Sequence, residues 1–116
     1  MQHVSAARFN TWWQAESLPE PMAGTSIQCP DQPEVIYMVG GVTTGNQTSN
    51  RFYKYDAAQQ AGWTRLPDLP IPLRGQAVAC YQGRIYLAGG LVDVMDHLYI
   101  YKILNNGWFR GGRLTR

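Results

Sequence analysis

Two stretches of this chain repeat one another about 50 residues apart. Trp12 to Met22 reads WWQAESLPEPM, and Trp63 to Leu73 reads WTRLPDLPIPL. A shift of 51 residues lays Trp12 on Trp63, Leu18 on Leu69, Pro19 on Pro70 and Pro21 on Pro72. The same shift lays Gly24 on Gly75 and Cys29 on Cys80. Further on the shift becomes 49, and Val35 to Gly41 matches Arg84 to Gly90. Phe52-Tyr53-Lys54-Tyr55 then matches Leu98-Tyr99-Ile100-Tyr101, and Gly62-Trp63 matches Gly107-Trp108. The shift changes at turns, where insertions are tolerated. A period of this size marks an array of small supersecondary units, each burying its apolar faces against its neighbours.

Each unit holds four short runs with strand character. In the second they are Gln76 to Tyr81, Arg84 to Ala88, His97 to Ile103 and Trp108 to Arg110. Gln82-Gly83 and Asn105-Asn106-Gly107 are hairpin turns between them, and Gly89 to Asp96 is a longer loop. In the first unit the runs are Thr25 to Cys29, Val35 to Val39, Arg51 to Asp56 and Trp63 to Leu66. No helical periodicity of useful length competes. The expected fold is all-β, with four antiparallel strands per repeat, the pattern of one propeller blade. The chain divides into an N-terminal segment (1–11), an outer strand and linker of a partial blade (12–22), blade 1 (23–66), blade 2 (67–110) and a tail (111–116). Gly111-Gly112 falls in the tail because no apolar strand precedes it.

Composition narrows the function classes. With 45% hydrophobic residues, the chain has apolar surface enough to offset the entropy of ordering. Net charge is +2 and the basic residues are scattered. That pattern indicates neither nucleic acid nor an acidic membrane as partner. No apolar stretch approaches the roughly 20 residues of a membrane span, and Met1 to Asn10 lacks the apolar core of a secretory signal. A cytoplasmic location is the default. Cys29 and Cys80 lack the close pairing of a zinc or redox motif. Because they occupy equivalent positions in two repeats, free, buried thiols are expected rather than a disulfide. Asn46-Gln47-Thr48 matches a glycosylation triplet, which without a secretion signal is assigned to chance.

The units resemble the Kelch repeat. That family is marked by an apolar run ending in a double glycine, followed by a Tyr and then a Trp. Here the doublets are Gly40-Gly41 and Gly89-Gly90, and the pairs are Tyr55 with Trp63 and Tyr101 with Trp108. The second pair has the family spacing and the first carries one extra residue. Leu69 to Arg74, a Pro-rich stretch ending in Arg before the innermost strand, also looks like the family, although Ala23 stands at the corresponding place in the first unit. The resemblance covers residues 12 to 110. It implies two full blades and part of a third. The aromatic pairs read as structural anchors that bury large areas against a neighbouring blade.

Chemistry is sparse. The two histidines, His3 and His97, have no Ser or Cys nearby in sequence, and the adjoining Asp96 makes His97 read as half of a solvated edge pair. Neither glycine doublet opens a helix, so there is no phosphate loop. Asp93 and Asp96 are too sparse for a calcium loop. No cofactor and no metal is expected. The resemblance admits enzymes, namely copper oxidases similar to galactose oxidase and proteins acting on sialic acid. Two histidines make a copper site improbable. The expectation is a non-catalytic module binding a protein or peptide, with a glycan-binding or sugar-active propeller and a purely structural propeller fragment as alternatives.

In the family, ligands meet one propeller face, built from the loop entering the innermost strand and the loop after the double glycine. Carried over by motif, these are Thr25, Arg74 and Gln76 for the first loop. The second gives Val42, Thr43 and Thr44 in one unit and Leu91, Val92 and Asp93 in the other. Arg74 is the sharpest candidate, since a guanidinium holds a carboxylate through two parallel hydrogen bonds. Two blades would leave apolar flanks uncovered. Three explanations follow: the chain is a piece of a longer Kelch array, copies of it assemble into a ring, three giving six blades, or it docks onto Kelch blades of another chain.

Overall fold

The computed structural model describes residues 17–59, 62–89 and 97–113. It contains two four-stranded antiparallel sheets. Blade 1 is β1 (Met22–Cys29), β2 (Gln32–Thr43), β3 (Gln47–Asp56) and β4 (Trp63–Arg65). Blade 2 is β5 (Ala77–Tyr81), β6 (Arg84–Ala88), β7 (His97–Lys102) and β8 (Gly107–Arg113). Each sheet runs in sequence order from an innermost to an outermost strand, as expected for propeller blades. The predicted Trp12 to Ser17 outer strand lies almost wholly outside the described residues.

Alternation along the strands sorts the side chains into two faces. Val35, Tyr37 and Val39 of β2 and Phe52 of β3 turn toward blade 2 and are buried. Ile85 and Leu87 of β6 and Tyr101 of β7 turn toward blade 1 and are buried as well. Between the sheets runs the linker from β4 to β5, whose Leu66, Leu69 and Leu73 complete one continuous core. The aromatic contacts cross this seam. Phe52 meets Trp108 edge to face at 5.1 Å between centroids, and the Trp108 indole N–H donates to the Pro67 carbonyl at 3.0 Å. Trp108 therefore anchors blade to blade. Trp63, its repeat equivalent, pairs with Tyr55 at 5.3 Å on the opposite face of blade 1.

Three expectations need correction. In blade 1 the double glycine does not end the strand, whereas β6 of blade 2 stops at Ala88, just before Gly89. β2 continues through Gly40-Gly41 to Thr43, with a bulge between Val39 and Gly41. Gly40 has φ +59°, and a Cβ there would stand 2.6 Å from the Leu73 carbonyl oxygen. The linker is packed against this backbone, and Gly41 donates its N–H to Leu73 O at 2.8 Å. Glycine is required by that approach, not by a strand terminus.

Gly111-Gly112 is not tail either. β8 runs through it to Arg113, and His97 pairs with Arg113 beyond a bulge. An outermost strand needs only backbone partners, so the absence of apolar side chains did not prevent pairing.

The cysteines, finally, are not free: Cys29 and Cys80 form a disulfide. Cys29 closes β1 and Cys80 lies in β5, the innermost strands of adjacent blades. Repeat-equivalent positions on such strands sit at the same height along the axis. Here they lie side by side, with Cα atoms 5.3 Å apart, inside the range a disulfide spans. Equivalence, taken as an argument against bonding, is what brings the thiols together.

Candidate functional site

At one end of the sheets the β2–β3 turn meets the chain entering β5. The linker is held there by main-chain bonds to blade 1. Leu66 and Leu69 donate to the carbonyls of Phe52 and Asn50, both at 2.8 Å, and Leu73 donates to Ser49 O at 3.1 Å. With Leu73 wholly buried, the next residue, Arg74, is fixed beside the turn. Its Nη1 donates to Asn46 Oδ1 at 2.8 Å. Asn46 has φ +61° and follows Gly45 at φ +81°, a left-handed pair that closes the short turn. Asn tolerates this backbone better than most side chains.

Arg74 is half-buried. Its hydrogen-bond partner is a neutral amide, and the described ion pairs, Arg51–Asp68 and Arg65–Asp68, do not include it. One of its five N–H groups is engaged in that bond, which orients the guanidinium without neutralising it.

The other sequence candidates divide. Thr43 and Thr44 belong to the same turn region as Asn46: Thr43 is the last residue of β2 and its hydroxyl donates to Gln47 O at 3.4 Å, while Thr44 is exposed. Val42 is half-buried in β2. Gln76 is 6% exposed and turned into the protein. Its Nε2 donates to Val39 O at 3.1 Å, tying β2 to the entrance of β5, while its Oε1 is buried without a partner. Thr25 is not in the loop; it pairs with Val39 inside β1. Leu91, Val92 and Asp93 lie outside the described residues. Asn46, the partner of Arg74, was missed as a site residue. The Gly45-Asn46 turn was visible in the sequence, but its approach to a residue 28 positions away was not.

The opposite end of the sheets carries a cleft of about 640 Å³ between the β1–β2 and β5–β6 turns, roofed by the β7–β8 turn. Cys29 of the disulfide and Leu104, 97% exposed, are among its lining residues. No pattern in the sequence pointed to it. Among the described residues no group of three His, Cys, Asp or Glu side chains could hold a metal ion. No described helix is long and apolar enough to cross a membrane.

No family model matches the chain. Individual proteins do. Human Kelch-like protein 38 is 27% identical over 114 residues, covering 93% of this chain and 19% of its own length. Beta-scruin of Limulus polyphemus is 29% identical over 110 residues, covering 85% of this chain and 12% of its own length. Kelch-like ECH-associated protein 1B of Danio rerio is 30% identical over 98 residues, covering 79% and 16% respectively. The chain thus spans a fifth or less of these relatives. In structure it resembles YjhT, with a TM-score of 0.67 over 83% of this chain and 29% of the other at 23% identity. Paired sheets in propeller strand order, glycine doublets and Tyr–Trp pairs in the right sequence, and these likenesses agree: the chain folds as β-propeller blades and is similar in sequence to Kelch-repeat proteins.

Proposed function

We propose that the chain is a non-catalytic protein-binding module whose β2–β3 turn and Arg74 take an acidic side chain or a terminal carboxylate of a peptide. The carrying observation is the oriented but unneutralised guanidinium at the end of the sheet, with the exposed Thr44 as a neighbouring hydroxyl donor. Bidentate binding of a carboxylate by such a group adds geometric selectivity to charge. One relative, the Danio rerio protein, is named as ECH-associated. The test is capture of peptides from a library varied in acidic content. The expected result is enrichment of acidic peptides by the wild-type chain, with Arg74→Ala weakening binding at least tenfold and Arg74→Lys restoring only part. Equal capture by Arg74→Ala, or no acidic preference, would overturn the reading.

A further inference from the structure

The two outward blade faces are unlike in charge, and the difference has a direction. Strand alternation and register place Ile36, Met38, Tyr53, Tyr55 and Trp63 on the face of blade 1 turned away from blade 2. Ile36 is 40% exposed there, and Met38, Tyr55 and Trp63 are half-buried. The acids of this face are Glu20, which accepts a hydrogen bond from the Tyr53 hydroxyl at 2.8 Å, and the exposed Glu34, next but one to Ile36 on β2. Its cations, Arg51 and Arg65, both meet Asp68, at 3.9 and 3.0 Å.

The outward face of blade 2 carries Tyr86, Ile100 and Phe109 in register, with Phe109 42% exposed. Beside them Arg84 and Lys102 stand directly opposite one another across β6 and β7. The Lys102 ammonium lies 4.5 Å from the centre of the Phe109 ring, on that same face. Like charges in such a cross-strand pair repel. Neither forms an ion pair among the described residues.

The repeat supplies the geometry of contact. Within the chain, the inner face of blade 1 (Tyr37, Val39, Phe52) packs on the inner face of blade 2 (Ile85, Leu87, Tyr101, Trp108). By the alignment, the outward face of blade 2 is the counterpart of the first of these, and the outward face of blade 1 of the second. Placed by the same step, blade 2 of one copy docks against blade 1 of the next. Arg84 and Lys102 occupy the places of Val35 and Asp56, and Glu34 that of Gly83. In the internal seam this level holds no opposite charges. By the same alignment, a contact between copies would set the cation pair of one face against the carboxylate of the other.

We infer that the outward face of blade 2 binds the outward face of blade 1 of a second copy of this chain, head to tail, through an apolar centre and the Glu34–Arg84/Lys102 contact. Because the contact joins two different surfaces, it generates a ring when the rotation closes.

Light scattering on the full chain at micromolar concentration gives the test, with Glu34→Arg, Arg84→Glu and the double variant compared. Both positions are exposed, and far-ultraviolet circular dichroism controls for folding. The expected result is an oligomer for the wild type, at least a tenfold weaker association for each single variant, and recovery in the double variant. A monomeric wild type would overturn the inference, as when other residues of the chain cover these faces. So would an oligomer indifferent to both single reversals. Peptide capture by Arg74 is read separately, so either result stands without the other.

Discussion

Phe52 of blade 1 stands edge-on to Tyr101 of blade 2, with ring centroids 4.7 Å apart and planes at 77°. Both are essentially buried, and Trp108 closes the cluster from the outermost strand of blade 2. Edge-to-face pairs add roughly 0.5–1.5 kcal/mol beyond the burial of their area. The seam between the blades is therefore an aromatic joint of Phe52 with the Tyr101 and Trp108 of the second unit.

Equivalent tryptophans in this chain are not equally placed, and their truncation should show it. Trp108 packs into the seam and donates its indole N–H to Pro67. Trp63 lies on the outward face of blade 1, and its indole nitrogen is buried without a partner. Trp108→Ala should cost about 3–5 kcal/mol, the usual loss for a large packed aromatic. Trp63→Ala should cost less, measured by urea unfolding at concentrations low enough to keep the chain unassociated. A larger loss for Trp63→Ala would show that the seam is not where the stability resides.

The repeat made the strand order, the Tyr–Trp pairs and the buried apolar runs legible, because each is a local pattern with a fixed period. What it could not show depended on neighbours in space. The strand runs through Gly40-Gly41 because Leu73 packs on its backbone, a contact 33 residues away in the chain. The Cys29–Cys80 bond required knowing that innermost strands of successive blades lie side by side. Arg74 was readable from its motif, whereas Asn46 became its partner only through the folding back of the β2–β3 turn. Gln76, read as a loop residue facing a ligand, instead bonds the Val39 backbone, since the strand entry it occupies is pressed against β2.

Alkaline pH should loosen the seam at Tyr101 and the outward face of blade 1 at Tyr53. Burial, and then the neighbouring Tyr37, push the Tyr101 hydroxyl up from its ordinary value near 10 to about 12. Burial also pushes Tyr53 to about 12, with further upward shifts from its hydrogen bond to Glu20 and from the Glu20 charge. A raised folded-state value means that the unfolded chain releases these protons first. Their contribution to stability is complete below about pH 10 and is lost as pH rises toward 12. The urea midpoint should fall across that window, and Tyr101→Phe should flatten the fall. A midpoint that is level from pH 10 to 12 would contradict the burial of Tyr101.

The cross-link between the innermost strands should be a large share of the stability of the pair of blades. Cys29 and Cys80 are 51 residues apart in sequence. Closing a loop of that size in the unfolded chain is worth about 4 kcal/mol on the chain-entropy model, within a measured range of roughly 0–5. Purified under native, non-reducing conditions and then denatured, the chain should present no titratable thiol. Reduction, or replacement of both cysteines by serine, should lower the unfolding free energy measured by urea titration by a comparable amount while the strand content persists, because the apolar seam of Val39, Phe52, Leu73 and Leu87 does not depend on the bond. Two free thiols in the native protein would show that the strands approach without bonding, and would return the pair to the reduced state first expected from their equivalence in the repeat.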